Sequence, residues 1–170
     1  MRYWVLAGIL LLAFLVQSVL GHFLAINQIA PNVVLVVVIA YGLLFGPEVG
    51  LIAGLLGGLL LDLTFSHYVG LRLLALGSVG LAIGMVEERV FKDNLLLGSI
   101  GGLAGSVTGQ SIVLIILWIF GRMITLDEVR TLGLAALYDM VLCTIIYRAL
   151  YRNYRYLRPD PRGTIVLRRQ

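Results

Sequence analysis

Six apolar stretches, separated by short polar punctuation, restrict what this chain can fold into more than any other feature. They run over Tyr3–Leu20, Pro31–Phe45, Val49–Phe65, Leu71–Val86, Leu95–Phe120 and Thr131–Tyr151. A helix needs about 20 apolar residues to cross the ~30 Å hydrocarbon core of a bilayer. The pattern therefore predicts an all-α integral membrane protein, a bundle of six transmembrane helices over residues 1–152, followed by a basic tail over 153–170. Composition agrees: 60% of residues are hydrophobic and 13% charged, where a soluble domain carries about 25% charged residues. The second stretch is short, so five spans, with stretches two and three forming a re-entrant pair around Gly46-Pro47, is the alternative. The first stretch exceeds the roughly 7–15 residues of a signal h-region and ends without a small-residue cleavage site, which points to an uncleaved helix.

Orientation follows from Lys and Arg near the span ends, which stay on the cytoplasmic side. Arg2, Arg89, Lys92 and the tail share one side, against Arg72, Arg122 and Arg130 on the other, so both termini are expected in the cytoplasm. Seven of the thirteen basic residues lie at or after Arg148. Arg148, Arg152 and Arg155, interleaved with Tyr147, Tyr151 and Tyr154, read as an anchor to anionic lipids and not as a nucleic-acid surface.

Glycines spaced four apart lie on one helix face and let two backbones approach. Gly50, Gly54 and Gly58 form one such groove and Gly101, Gly105 and Gly109 another. Each serves either internal packing or a helix from a partner protein.

Charges inside a membrane pair with one another and face the bundle interior. Asp62 and Arg72 fall near the same outer boundary of consecutive spans, so an ion pair between them is expected, with Gln17 and Asn32 at similar depth completing an outer polar cluster. Asp139 falls deeper, at the level of Gln110 and Tyr41, and is read as protonated or as hydrogen-bonded to one of them, either as polar glue or in an ion or substrate role. His22 and His67 lie in outer loops without supporting carboxylates, a poor metal signal. The lone Cys143 excludes an intramolecular disulfide. No nucleophile, zinc or phosphate-loop motif is present, so no enzyme activity and no cofactor are expected.

The punctuation of the central stretch carries a resemblance. Pro31-Asn32 opens an apolar helix, Gly46-Pro47 breaks it, Gly58-Leu59-x-x-Asp62 closes the next, and Gly70-Leu71 precedes another. This order resembles the rod shape-determining protein family MreD, although Asp139 stands where that family more often has Asn. The resemblance implies a non-enzymatic scaffold of the bacterial cell-elongation complex in the inner membrane. Its partners would be an MreC-like bitopic protein, RodA with its transpeptidase, and the MreB filament. The MreD fold is similar to the six-helix substrate-binding subunits of energy-coupling-factor vitamin transporters, which supply the alternative function. Those subunits meet their coupling protein through an Ala-xxx-Ala face on the first helix, and here Ala7 is followed four residues on by Leu11.

Overall fold

A helix that is apolar on every side is stable only where it is surrounded. Such a helix is α2 (Val33–Phe45), in which every residue from Val33 to Leu44 is buried. The computed structural model describes residues 3–20, 31–65, 70–87, 96–123 and 125–152. In it α2 is the axis of the bundle. It touches all five other helices: α1 (Tyr3–Leu20), α3 (Pro47–Phe65), α4 (Leu71–Glu87), α5 (Leu96–Ile119) and α6 (Leu126–Arg152). The six stretches form six separate helices, with α2 and α3 divided at Gly46-Pro47. Three of them, α3, α5 and α6, are long and apolar enough to cross a membrane, while α1, α2 and α4 contribute shorter apolar helices.

The α2 sequence is rich in Val and Ile, which are mediocre helix formers in water. In an apolar surrounding the unpaired backbone is the larger cost, and the helix forms regardless. It stops at Gly46, whose positive φ of 92° suits glycine. Pro47 then starts α3 at a position where its missing N–H is no loss. Successive helices run antiparallel, so the α1–α2, α3–α4 and α5–α6 connections share one end of the bundle, called the upper end below.

Two kinds of seam hold the helices. Between α3 and α4 the contact is backbone to backbone. A methyl added at Gly50 would strike the Gly80 carbonyl, one at Gly54 the Leu76 carbonyl, and one at Gly58 would lie 2.5 Å from Arg72 O and Leu73 Cα. Around α5 glycines instead receive side chains: Gly101 takes Leu43, Gly105 takes Ile39, Gly109 takes Val79 and Leu35, and Gly102 takes Cys143. Both four-spaced faces are thus filled by the bundle's own helices, and neither is open to a helix from a partner. A Ser99–Thr144 hydroxyl pair at 2.8 Å adds a polar contact between α5 and α6.

The start of α6 differs from the expectation. It begins at Leu126, ahead of Thr131, because Thr125 and Glu128 form the reciprocal end of a capping box, with Thr125 N–H donating to Glu128 Oε2 at 3.1 Å. The T-x-x-E spacing was present in "TLDE" and marks a helix start. Preceding it, Gly121 (φ 84°) closes α5 with Gly121 N–H on Trp118 O and Arg122 N–H on Leu117 O, the paired bonds of a Schellman motif.

The α3–α4 seam generates a test. Gly54→Ala should cost about 1–3 kcal/mol, the usual penalty of overpacking, and lower the melting temperature of the detergent-solubilised protein. Gly8→Ala and Gly133→Ala, where a methyl meets nothing within 4 Å, should leave it unchanged or raise it. Equal melting temperatures for Gly54→Ala and Gly8→Ala would refute the backbone contact.

Candidate functional site

The first N–H groups of any helix lack partners within it, and α2 meets this problem in the bundle interior. Its solution recruits three helices. Asn32 caps α2 with its own side chain, Oδ1 accepting from Leu35 N–H at 3.0 Å. Gln17 of α1 presents Oε1 to Val34 N–H at 3.0 Å. Asp139 of α6 presents Oδ1 to Asn32 N–H at 2.9 Å. The other oxygen of Asp139 accepts from Ser106 Oγ of α5 at 2.6 Å, and Ser106 Oγ in turn accepts from Gln110 Nε2 at 2.8 Å. Asp139 and Ser106 are both 0% exposed, while Gln17, Asn32 and Gln110 are half-buried.

This arrangement redraws the polar clusters. Gln17 and Asn32 belong with Asp139 and Gln110, all at the start of α2, and not with Asp62 and Arg72. Asp139 is no deeper than Asn32, because α2 begins low. Gln110 reaches Asp139 only through Ser106, whose part the sequence disguised as one more small residue on the α5 face. Tyr41 plays no part here; its hydroxyl donates to the Leu6 carbonyl at 2.7 Å and ties α1 to α2.

Asp62 does not form the expected ion pair with the Arg72 side chain. The fully buried carboxylate instead accepts backbone N–H groups, from Gly70 at 2.8 Å, Arg72 at 3.1 Å and Leu73 at 3.1 Å. It is a cap for α4 supplied from the end of α3. Among the described residues the side-chain ion pairs are Arg122–Glu128 and Arg130–Asp127, both exposed. Arg148 and Arg152 are exposed on the last turns of α6. Arg155, the 153–170 tail, His22 and His67 lie outside the described residues. No group of His, Cys, Asp and Glu that could hold a metal occurs among the described residues.

The helix lengths shape the space above this network. From Asp139, α6 continues upward to Leu126, a rise of about 20 Å, and α5 continues from Gln110 to Ile119, about 14 Å. The axial helix does not follow them, since α2 starts at Val33. Among the described residues, Gln17, Asn32, Asp139, Ser106 and Gln110 thus form a polar floor at the start of α2, beyond which α5 and α6 continue upward. A concavity of about 300 Å³ between α1 and α3 is lined by apolar side chains such as Leu10, Ile52 and Leu56. It suits hydrocarbon and not a polar ligand.

Comparison with known proteins gives one family. The family model described as "ECF-type riboflavin transporter, S component" matches residues 3–156, nearly the whole chain. No curated protein and no solved structure matches. The match overturns the rod shape-determining resemblance, and with it the scaffold function in cell elongation and peptidoglycan synthesis and the partners MreC, RodA and MreB. It supports the transporter alternative instead. Leu11, in place of the second alanine on α1, does not set the chain outside that family. The helical membrane fold, the multi-pass cell-membrane location and the absence of enzymatic function stand with the match. The misleading motif residues have a structural reason: Asn32 caps α2, Gly46 ends it, Gly58 meets α4 and Asp62 caps α4. They describe how this chain builds its helices.

The Asp62 cap predicts an asymmetry between the two charges. Asp62→Ala leaves three N–H groups without their acceptor, each worth about 1–3 kcal/mol if it stays buried, and should sharply lower yield and melting temperature. Arg72→Met keeps the backbone N–H and should melt close to wild type. The exchange Asp62→Arg with Arg72→Asp should rescue nothing; partial recovery would restore the ion pair.

Proposed function

We propose that this chain, which belongs to the family of ECF-type riboflavin transporter S components, binds riboflavin in the membrane and hands it to a transporter. The observation that supports the reading is the polar floor at the start of α2, built from four helices, with α5 and α6 rising beyond it. A ligand there meets the largely apolar upper part of α5 and a floor with a few polar groups, the usual composition of a small-molecule site. The partner is the ECF module, with its ATPase and T component, which supplies the energy that this chain has no residues to harvest.

The upper end faces outward in this reading, with Arg2, Arg89, Lys92 and the basic residues from Arg148 onward on the cytoplasmic side. The site then opens toward the side from which a nutrient arrives. Residues 1–152 form the membrane domain and 153–170 a cytoplasmic tail, with Arg148, Arg152 and Arg155 against anionic headgroups.

Two measurements test the proposal. The purified protein should quench riboflavin fluorescence saturably at one site per chain, and cells expressing it with an ECF module should take up labelled riboflavin. Absence of both would refute the function. In a Cys143→Ser background, Thr125→Cys should react with an impermeant maleimide added outside intact cells; reaction only after lysis would reverse the orientation.

A further inference from the structure

The three half-buried amides at the floor each spend one half on the protein, and which half is not free to vary. Val34 N–H and Leu35 N–H are donors, so Gln17 and Asn32 must offer them oxygen, at 3.0 Å in both cases. Their NH2 groups remain. Ser106 gives its proton to Asp139 at 2.6 Å, so its oxygen can only accept, and Gln110 must turn its NH2 toward it at 2.8 Å. The Gln110 carbonyl oxygen remains. Amide orientation is fixed by such networks, and the donor and acceptor inventory of each side chain then sets what is left over.

We infer that Gln17, Asn32 and Gln110 read the ligand, presenting two donors and one acceptor to an edge with two acceptors and one donor. A carbonyl, N–H, carbonyl edge has that complement, and it is the edge of a pyrimidinedione, which the flavin ring carries at its N3–H. The ribityl chain lacks this property, since each hydroxyl both donates and accepts and selects no pattern. Asp139 and Ser106 are positioning residues: both are fully buried, each Asp139 oxygen accepts a hydrogen bond from the protein, and Ser106 fixes which way Gln110 faces. The inference rests on the riboflavin-binding reading and adds to it which end of the molecule lies at the floor.

The experiment compares riboflavin with 3-methylriboflavin, which lacks the N3–H donor, by fluorescence titration of the detergent-solubilised protein. One neutral hydrogen bond is worth about tenfold in affinity, so wild type should bind the methylated compound about tenfold more weakly. In Gln110→Leu, riboflavin should weaken by a similar factor and the methyl group should cost nothing further. Gln17→Glu keeps an oxygen for Val34 N–H and loses the NH2, so it should weaken riboflavin while melting close to wild type without ligand. Equal affinity of wild type for both flavins overturns the inference, as does a methyl penalty that persists in Gln110→Leu. Should Gln110→Leu fail to fold, the comparison of the two flavins on wild type decides alone. Failure of wild type to bind riboflavin refutes the proposed function. Thermal stabilisation by uridine, which has the same edge, would then keep the inference, and none by either compound would end both.

Discussion

Everything in this bundle is arranged around a helix that starts in the wrong place. The first N–H groups of α2 open within the bundle, where an N–H left unpaired away from water costs several kcal/mol. Three oxygens from α1, α6 and α2 itself converge on that end. The same demand explains the two carboxylates within otherwise apolar helices. An aspartate at mid-span costs roughly 2.5–3.5 kcal/mol when inserted alone, but neither is alone. Asp139 closes the start of α2 and Asp62 the start of α4, each accepting from backbone N–H groups whose partial positive charge is greatest there. Helix starts supply the direct hydrogen-bond partners of both carboxylates.

The two seams divide the bundle mechanically. Where α3 meets α4, carbonyl and Cα atoms sit where a Cβ would be, and backbone cannot yield without moving a whole helix. Where α5 meets α2, the glycines face the tips of Leu43 and Ile39, which can change rotamer. The α3–α4 pair is therefore the rigid frame, while α5, whose Gln110 and Ser106 form part of the floor, packs through contacts that tolerate small shifts. In the transport reading proposed above, this inequality would let α5 shift for a ligand while the α3–α4 pair keeps its shape.

The architecture was legible in the sequence because membrane insertion is read by length and apolarity, and six stretches of the right length have few other uses. Helix ends were legible wherever Pro or Gly marked them, and missed where a polar side chain did the work, as with Thr125 and Glu128 at the start of α6. Partners of the charged residues were not legible. Sequence position places Asp62 opposite Arg72, and opposite charge suggests the side chain; the structure uses the Arg72 backbone instead, a group every residue has and no residue advertises. Ser106 was hidden for a related reason, since a serine among glycines satisfies the small-residue pattern before it is considered as a donor. The family resemblance failed on the same ground: the residues that suggested it cap and space helices, so they report the fold and carry no information on the cargo.

Burial separates the structural and the recognising parts of the floor. Asp139 and Ser106 are fully buried and turned toward protein partners, whereas Gln17, Asn32 and Gln110 are half-buried and each keeps half an amide. No buried side-chain polar atom among the described residues lacks a partner. The empty site is thus stable as it stands, and binding costs the protein no internal hydrogen bond. A ligand has only to replace whatever solvates three amide halves, and those halves have their polarity set in advance by groups it never touches. Preorganisation of this kind favours a fixed pattern of donors and acceptors over hydrophobicity or size as the basis of selection, and it places the choice of cargo in the same hydrogen bonds that allow α2 to begin where it does.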